Sequence, residues 1–193
     1  MATDGGTFIY KLPPVGTYYG SGAGEVIYDV IRKRLLGSTE RRALVVSFPD
    51  RRQMDASFFA ASLVRIGREL AAGGYGERGL LLHGLDADAV FNLEAAISGK
   101  SSSAAFLLID PRGLWKLVGH LADTHAETLK LISRIGKLSA PELAERERIA
   151  LNAANNRLKR LYETRLVWRE GVPQSRGVSY TYHLWRWRGG AEK

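Results

Sequence analysis

The sequence predicts an α/β fold for the first 110 residues, followed by a helix-rich part of different character. Short β-rich runs in the first part alternate with helix-length amphipathic segments, a pattern typical of strands joined by helical crossovers. The two parts also differ in charge. Residues 1–110 contain 12 Lys/Arg and 12 Asp/Glu, whereas residues 111–193 contain 16 Lys/Arg and 8 Asp/Glu. The whole net charge of +8 therefore lies beyond residue 110.

Four segments of the first part have the composition of β-strands. The run ALVVSF at residues 43–48 is continuously apolar, as strands buried on both faces of a parallel sheet are. The other three are similar in residue type. We therefore expect a mixed or parallel sheet built from Thr7–Lys11, residues 43–48, Gly79–His83 and residues 104–110.

Amphipathic segments between these strands predict helices. Residues 25–36 place apolar side chains on one helical face and end at Gly37, a common helix stop. Asp55 and Asp86 each precede a further amphipathic segment, and their carboxylates can accept hydrogen bonds from the first amides of a helix. We expect both aspartates to be N-caps.

The sequence DPRG at residues 110–113 has the composition of a tight turn between two β-rich runs. It predicts a hairpin made by the strand before it and the run LWKLVG after it. The hairpin could extend the first sheet or bridge the two parts of the chain, and the sequence leaves both open. Residues 111–121 are therefore assigned as a hairpin or connector.

Composition also argues against several classes of protein. The chain has no cysteine, which excludes disulfides, thiolate nucleophiles and cysteine-ligated zinc, and which suits a reducing cytoplasm. We find neither a signal-peptide pattern nor an apolar run of membrane-spanning length. The four histidines do not have metal-ligand spacing. We expect a cytoplasmic protein that is not an enzyme and has no cofactor, metal or membrane partner.

The second part contains specific helix signals. Residues 126–135 are amphipathic, and Ser139 follows them as an N-cap. Pro141 lies in the first turn of the helix after Ser139, and Glu142 completes a capping box with the serine. These signals predict two helices in close succession.

Residues 139–167 have the sequence SAPELAERERIALNAANNRLKRLYETRLV. They resemble the winged helix-turn-helix of bacterial transcription regulators, in which a short ELA-x-x helix and a tight turn precede a helix ending in L-x-x-L-x-x-x-x-L-V. The similarity runs without a gap from Glu142 to Val167. It implies a winged-helix domain over residues 122–193 that binds double-stranded DNA with its second helix.

This second helix has two predicted faces. Ala154, Leu158 and Leu161 recur at helical spacing and predict the side that packs into the domain. The opposite side is basic and rich in amides, and asparagine can contact adenine edges while lysine and arginine contact phosphates or guanine. The resemblance therefore implies DNA contacts by Asn152, Asn155, Asn156, Arg157, Lys159 and Arg160.

A wing is predicted after this helix. Residues 166–169 and 179–187 are strand-like, and segment 170–177, with glycine, proline and serine, predicts a flexible loop between them. In the domains that this region resembles, the wing lies over the DNA backbone or minor groove. The candidates for that contact are Arg169, Gln174 and Arg176.

The chain differs from the winged-helix pattern at three positions. Arg148 and Arg165 stand where glycine is usual, and Ala150 stands where serine or threonine usually caps the second helix. Winged helices also serve as dimerisation or scaffold modules. The alternative prediction is a protein-interaction module of a partner-switching or defence-type system that does not bind DNA directly.

Residues 43–59 (ALVVSFPDRRQMDASFF) resemble a STAS-like module, the α/β fold of anti-sigma-factor antagonists. The resemblance implies a STAS-like domain over residues 1–110 that senses a signal or docks a partner. In phosphoregulated members a phosphorylated hydroxyl residue follows the aspartate, and Ala56 stands there in this chain. Asp55 and Ser57 are the regulatory candidates, with helix capping as their simpler role. The matching residues are Val45, Val46, Phe48, Asp55, Ser57, Phe58 and Phe59.

The sequence thus predicts a DNA-binding transcription regulator with a STAS-like first domain and a winged helix-turn-helix second domain. Its expected partners are double-stranded DNA, a regulatory protein and a second copy of the chain, since regulators of this kind commonly bind DNA as dimers.

Overall fold

The protein is described from a computed structural model over residues 6–13, 18–48, 53–99, 104–175 and 177–187. It has a mixed α/β fold, as expected, with one five-stranded and one three-stranded sheet. The five-stranded sheet comes from the first part of the chain and its hairpin. The three-stranded sheet comes from the second part.

The five-stranded sheet has its strands in chain order. They are β1 (Thr7–Lys11), β2 (Ala43–Ser47), β3 (Gly79–His83), β4 (Ala105–Ile109) and β5 (Trp115–Gly119). The first four strands are parallel, and β5 runs antiparallel to β4. The predicted hairpin therefore extends the first sheet, which answers the question that the sequence left open.

The turn of this hairpin is held by Asp110. Its Oδ1 accepts hydrogen bonds from the backbone amides of Arg112 (2.9 Å) and Leu114 (2.8 Å). This is the local side-chain-to-backbone bonding that makes aspartate a common turn residue.

Helical crossovers connect the parallel strands. They are α1 (Gly20–Leu36), a helix that runs from α2 (Ala56–Phe59) through a π-helical turn (Ala60–Val64) into α3 (Arg65–Ala71), and α4 (Ala87–Ser98). Both predicted caps are confirmed, because Asp55 accepts from Phe58 N and Asp86 from Ala89 N. The expected start of α1 at residue 25 is wrong. The helix begins at Gly20, whose amide also donates to Asp55 Oδ1 at 2.9 Å.

One face of the first sheet is covered by α1 to α4. The side chains of Leu44, Val46 and Leu82 on that face are fully buried. They belong to one apolar cluster with Ile31 of α1 and Leu93 of α4. Alternate residues of β2 therefore point to opposite faces, as the pleat of a strand requires.

The second part of the chain has three helices and one strand before its hairpin. They are α5 (Asp123–Ile135), β6 (Lys137–Ser139), α6 (Ala140–Glu147) and α7 (Leu151–Glu163). β7 (Val167–Gln174) and β8 (Gly177–Leu184) follow. The strand order is β6-β8-β7, and both pairings are antiparallel. The predicted capping box of Ser139 and Glu142 is confirmed.

Two expectations for this part need correction. The three-residue strand β6 was not predicted. Segment 170–177, expected to be a flexible loop, instead belongs largely to the strands, because the ladder continues to the pair Gln174 and Gly177. Glycine, proline and serine disfavour strands on their own, but here the cross-strand pairing of β7 with β8 determines the structure.

The second part packs on the other face of the first sheet. Val45, Leu81 and Leu107 point to this face, are at most 2% exposed, and share an apolar cluster with residues of α5, α6, α7 and β8. Trp185 lies directly against β3, since a Cβ on Gly79 would stand 2.5 Å from its Cε2 atom. The boundaries 1–110, 111–121 and 122–193 stay a prediction, but an apolar core crosses them.

The longest helix of the described residues is α1, with 17 residues. None of the helices in these ranges combines the length and the apolar composition that crossing a membrane would need.

Candidate nucleic-acid interface

The exposed side of α7 carries most of the predicted DNA-binding residues. Three asparagines and one lysine lie along one face at spacings of three and four residues, and Arg160 lies at its margin. All five side chains are exposed, whereas Ala154, Leu158 and Leu161 on the opposite side are fully buried. The predicted division of the helix into two faces is therefore confirmed. The exposed residues are Asn152, Asn155, Asn156, Lys159 and Arg160.

The turn between α6 and α7 explains one departure from the winged-helix pattern. Arg148 has φ 54° and ψ 43°, a left-handed conformation that glycine adopts without strain. Arg165, after α7, has φ 59°. The chain thus keeps the backbone conformation that favours glycine at both positions while carrying arginine side chains there.

The first turn of α7 has no side-chain cap. Ala150 is the N-cap residue in extended conformation, and its methyl group cannot accept a hydrogen bond. The first amides of a helix have no partner within the helix and carry a partial positive charge. This end of α7 lies next to Asn152 and is electrostatically suited to an anion.

Arg157, also predicted to contact DNA, is mostly buried and binds another side chain of the protein. Its Nη1 atom forms an ion pair with Glu147 of α6, and only 20% of its side chain is exposed. The pair joins α6 to α7. Lys159 differs, because its side chain is 66% exposed and its ammonium lies 3.7 Å from Glu163 Oε1, a loose surface pair.

The hairpin places its three candidates differently. Arg169 is half-buried, with its guanidinium 4.0 Å from the ring centre of Tyr162 and 4.0 Å from that of Tyr180. Gln174 is exposed near the end of the hairpin. Arg176 lies outside the described residues.

His125 at the start of α5 faces the basic side of the second part. Burial and the nearby charges of Arg160 and Arg157 lower its pKa. Sequence spacing does not connect this histidine with α7, since the two are brought together only by helix packing.

Glu77, in the turn between α3 and β3, was also missed by the sequence. Its Oε1 accepts a hydrogen bond from the Tyr162 hydroxyl of α7 at 2.7 Å, and its Oε2 accepts one from Arg41 Nε at 2.7 Å. Burial raises the pKa of the Glu77 carboxyl, but the hydrogen bonds from Arg41 and Tyr162 outweigh it. The net pKa lies below the ordinary glutamate value.

The regulatory candidates of the first part form a capping cluster. Asp55 Oδ1 accepts from the amides of Gly20 and Phe58, and Ser57 Oγ donates to Asp55 Oδ2 at 2.6 Å. Burial raises the pKa of Asp55, but these three hydrogen bonds hold it below its usual value. Ser57 is exposed and borders a groove of about 790 Å³ between α1, α2 and α4. Capping is confirmed for Asp55, and a regulatory role stays a prediction.

No cluster of three or more histidine, aspartate or glutamate side chains suited to holding a metal occurs within the described ranges. Comparison of the chain with models of known protein families, with curated proteins and with solved structures gives no significant match.

Proposed function

We propose that residues 122–187 form a winged helix that binds double-stranded DNA through the exposed face of α7. The order of elements supports this proposal, because helix, strand, helix, helix and hairpin follow one another as in the domains that the sequence resembles. The left-handed backbone of Arg148 and Arg165, where those domains commonly have glycine, is a second support.

The observation that carries the proposal is the chemistry of the α7 face. Asn152, Asn155, Asn156 and Lys159 are exposed together, and no acidic residue occurs between Arg148 and Glu163. Amides and cations on one exposed helix can contact base edges and phosphates at the same time. The net charge of +8 in residues 111–193 supplies the long-range attraction to a polyanion.

The rest of the expected regulator belongs to the same proposal. The first part would act as a STAS-like sensing or docking unit, with the Asp55 and Ser57 cluster as its regulatory position. The protein would work in the cytoplasm as a homodimer that controls transcription, without catalytic activity.

A protein-interaction module without DNA binding remains the second candidate, because the hairpin exposes apolar side chains. Val172 is 46% and Val178 is 54% exposed, and Leu151 at the start of α7 is 50% exposed. Between residues 171 and 180 the only charged residue is Arg176. Exposed apolar groups favour contact with a protein surface.

The test is fluorescence anisotropy with a labelled random-sequence duplex of about 25 base pairs across a salt series, since a duplex of about two helical turns holds one bound domain. We expect binding that weakens steeply with salt. Lys159→Gln should reduce the slope of log K against log salt by about 0.9, the value for one lost phosphate contact.

Lys130→Gln provides a matched control. Lys130 on α5 is 64% exposed and pairs with Glu127, so its exposure and its net charge change match those of Lys159. Equal effects of the two substitutions would indicate attraction by overall charge without a defined interface. Absence of binding at low salt, or binding that does not change with salt, would exclude the proposal and favour the interaction module.

A further inference from the structure

A polar network joins the amino end of the first sheet to the carboxyl end of α7. Glu77 is its centre, because one carboxylate oxygen accepts from the Tyr162 hydroxyl and the other from Arg41 Nε, both at 2.7 Å. Tyr162 and Glu77 are 85 residues apart in the chain. We call Arg41, Glu77, Tyr162 and Arg169 the Glu77 network.

The network also holds the hairpin. The Arg169 guanidinium on β7 lies 4.0 Å from the Tyr162 ring centre, and Arg165 lies 4.7 Å from the same ring. Tyr162 therefore contacts the turn before β3 through its hydroxyl and the hairpin through its ring. This polar contact adds to the apolar core that already packs the helix and the hairpin on the first sheet.

Two arginines at this junction have a left-handed backbone conformation, which is unfavourable for any residue with a Cβ atom. Arg41 and Arg165 both have φ 59°. Arg41 donates to Glu77, and Arg165 stacks on Tyr162. Glycine would fit both positions with less strain, but it would remove both contacts.

Neither Tyr162 nor Arg169 belongs to the exposed surface of α7. Tyr162 and Arg169 are each partly buried, whereas Asn152, Asn156 and Lys159 are exposed. A guanidinium held between two aromatic rings is poorly placed to contact a phosphate as well.

We propose that Glu77 is a positioning residue for DNA binding, and that Arg169 acts in the Glu77 network instead of contacting phosphate. The inference rests on the proposed function. A helix and a hairpin that contact one duplex must keep a fixed angle to each other, and ordering them before binding lowers the entropic cost of association. The network supplies that order from the first part of the chain.

Two conservative variants test the role of the network. Tyr162→Phe removes the hydroxyl and keeps the ring under its cations, and Glu77→Gln keeps the size of the side chain and removes its charge. Each should weaken duplex binding by up to about fivefold, the limit set by one hydrogen bond lost from the ordered state, with the salt slope unchanged. Tyr10→Phe is the matched control, because Arg34 stacks on Tyr10 at 4.1 Å and Tyr10 packs with the apolar cluster on the other face of the first sheet. It should leave the affinity unchanged.

Arg169→Gln separates positioning from phosphate contact. As a network residue it should lower the affinity with no change in salt slope, whereas loss of a phosphate contact would reduce the slope by about 0.9. A reduced slope would overturn the assignment of Arg169. An unchanged affinity in both Tyr162→Phe and Glu77→Gln would overturn the assignment of Glu77.

Amide hydrogen exchange supplies a readout that does not depend on DNA. Tyr162→Phe should speed exchange in residues 158–169 relative to Tyr10→Phe, because the end of α7 and the start of β7 lose their hydrogen bond to Glu77. Failure of the unaltered chain to bind a duplex would contradict the proposed function alone. Unchanged exchange in Tyr162→Phe would contradict the network itself.

Discussion

The two faces of the five-stranded sheet are covered in different ways. Helices α1 to α4 cover one face, and they are the crossovers that the parallel strands need in any case. The other face is covered by α5, α7 and residues near Trp185, which follow the sheet in the chain. The first cover is local to the α/β unit, and the second comes from the region proposed to bind DNA.

This difference shows that the two parts of the chain are not independently packed domains, because they share one apolar core. Val45, Leu81 and Leu107 would become exposed if the second part moved away. Exposing each such side chain costs about 1.5–3 kcal/mol. A typical domain is stable by only about 5–15 kcal/mol. Loss of the second cover should therefore cost the first sheet a large share of its stability.

The largest expected effect is that of deleting this cover. A chain ending at residue 121 should fail to fold cooperatively, because one whole face of its sheet is apolar and open. Size-exclusion chromatography should show aggregates, and thermal unfolding should lack a sharp transition. A chain ending at residue 187 serves as the control. A soluble monomer of residues 1–121 with cooperative unfolding would restore the picture of two separable domains.

A smaller effect is expected from a substitution in the helical cover, at the contact between α1 and α2. A Cβ on Gly24 of α1 would lie 2.5 Å from the carbonyl oxygen of Phe58 and 2.8 Å from Ala61 Cβ, so Gly24→Ala forces α1 and α2 apart. We expect the free energy of unfolding to fall by about 1–3 kcal/mol in urea titrations.

Gly22→Ala in the same helix is the matched variant. Nothing lies within 4 Å of a Cβ built on Gly22. The substitution should raise the free energy of unfolding by about 0.5–1 kcal/mol, the usual gain from alanine inside a helix. Equal losses for both variants would show that α1 does not depend on this close approach.

The smallest expected effect concerns pH and lies in the second part. Burial and the charges of Arg160 and Arg157 lower the pKa of His125 in the folded chain, so below about pH 6.5 the unfolded chain binds a proton more readily. The stability contributed by neutral His125 is present above that pH and is lost as the pH falls.

The change should be small, since the ring is partly exposed and solvent screens the neighbouring charges. Urea unfolding of His125→Gln between pH 7.5 and 5 should show a flatter pH dependence than the unaltered chain. His120→Gln, at an exposed residue, is the control. Identical pH profiles for all three chains would remove His125 as a source of acid sensitivity.

Local signals in the sequence were sufficient for much of the fold. The apolar run at β2, the caps Asp55 and Asp86, and the capping box at Ser139 act over a few residues, and each is present in the structure. The exposed amide face of α7 followed from helical spacing alone.

Contacts between distant residues could not be predicted in this way. Glu77 meets Tyr162 across 85 residues, and Trp185 lies against Gly79 because the second part packs on the sheet. The contact of Arg169 with Tyr162 and Tyr180 depends on the same packing, so the sequence could place this arginine in the wing but could not predict its partners. No periodicity encodes such partners.

The fixed attachment of α7 has a consequence for paired binding to DNA. In a two-fold dimer built through any surface of the first part, the dimer contact would set the distance between the two α7 helices. Half-sites on B-DNA face the same way about 34 Å apart, one helical turn. A substitution at the dimer surface would then alter the preferred spacing of the half-sites and leave the affinity for a single half-site unchanged.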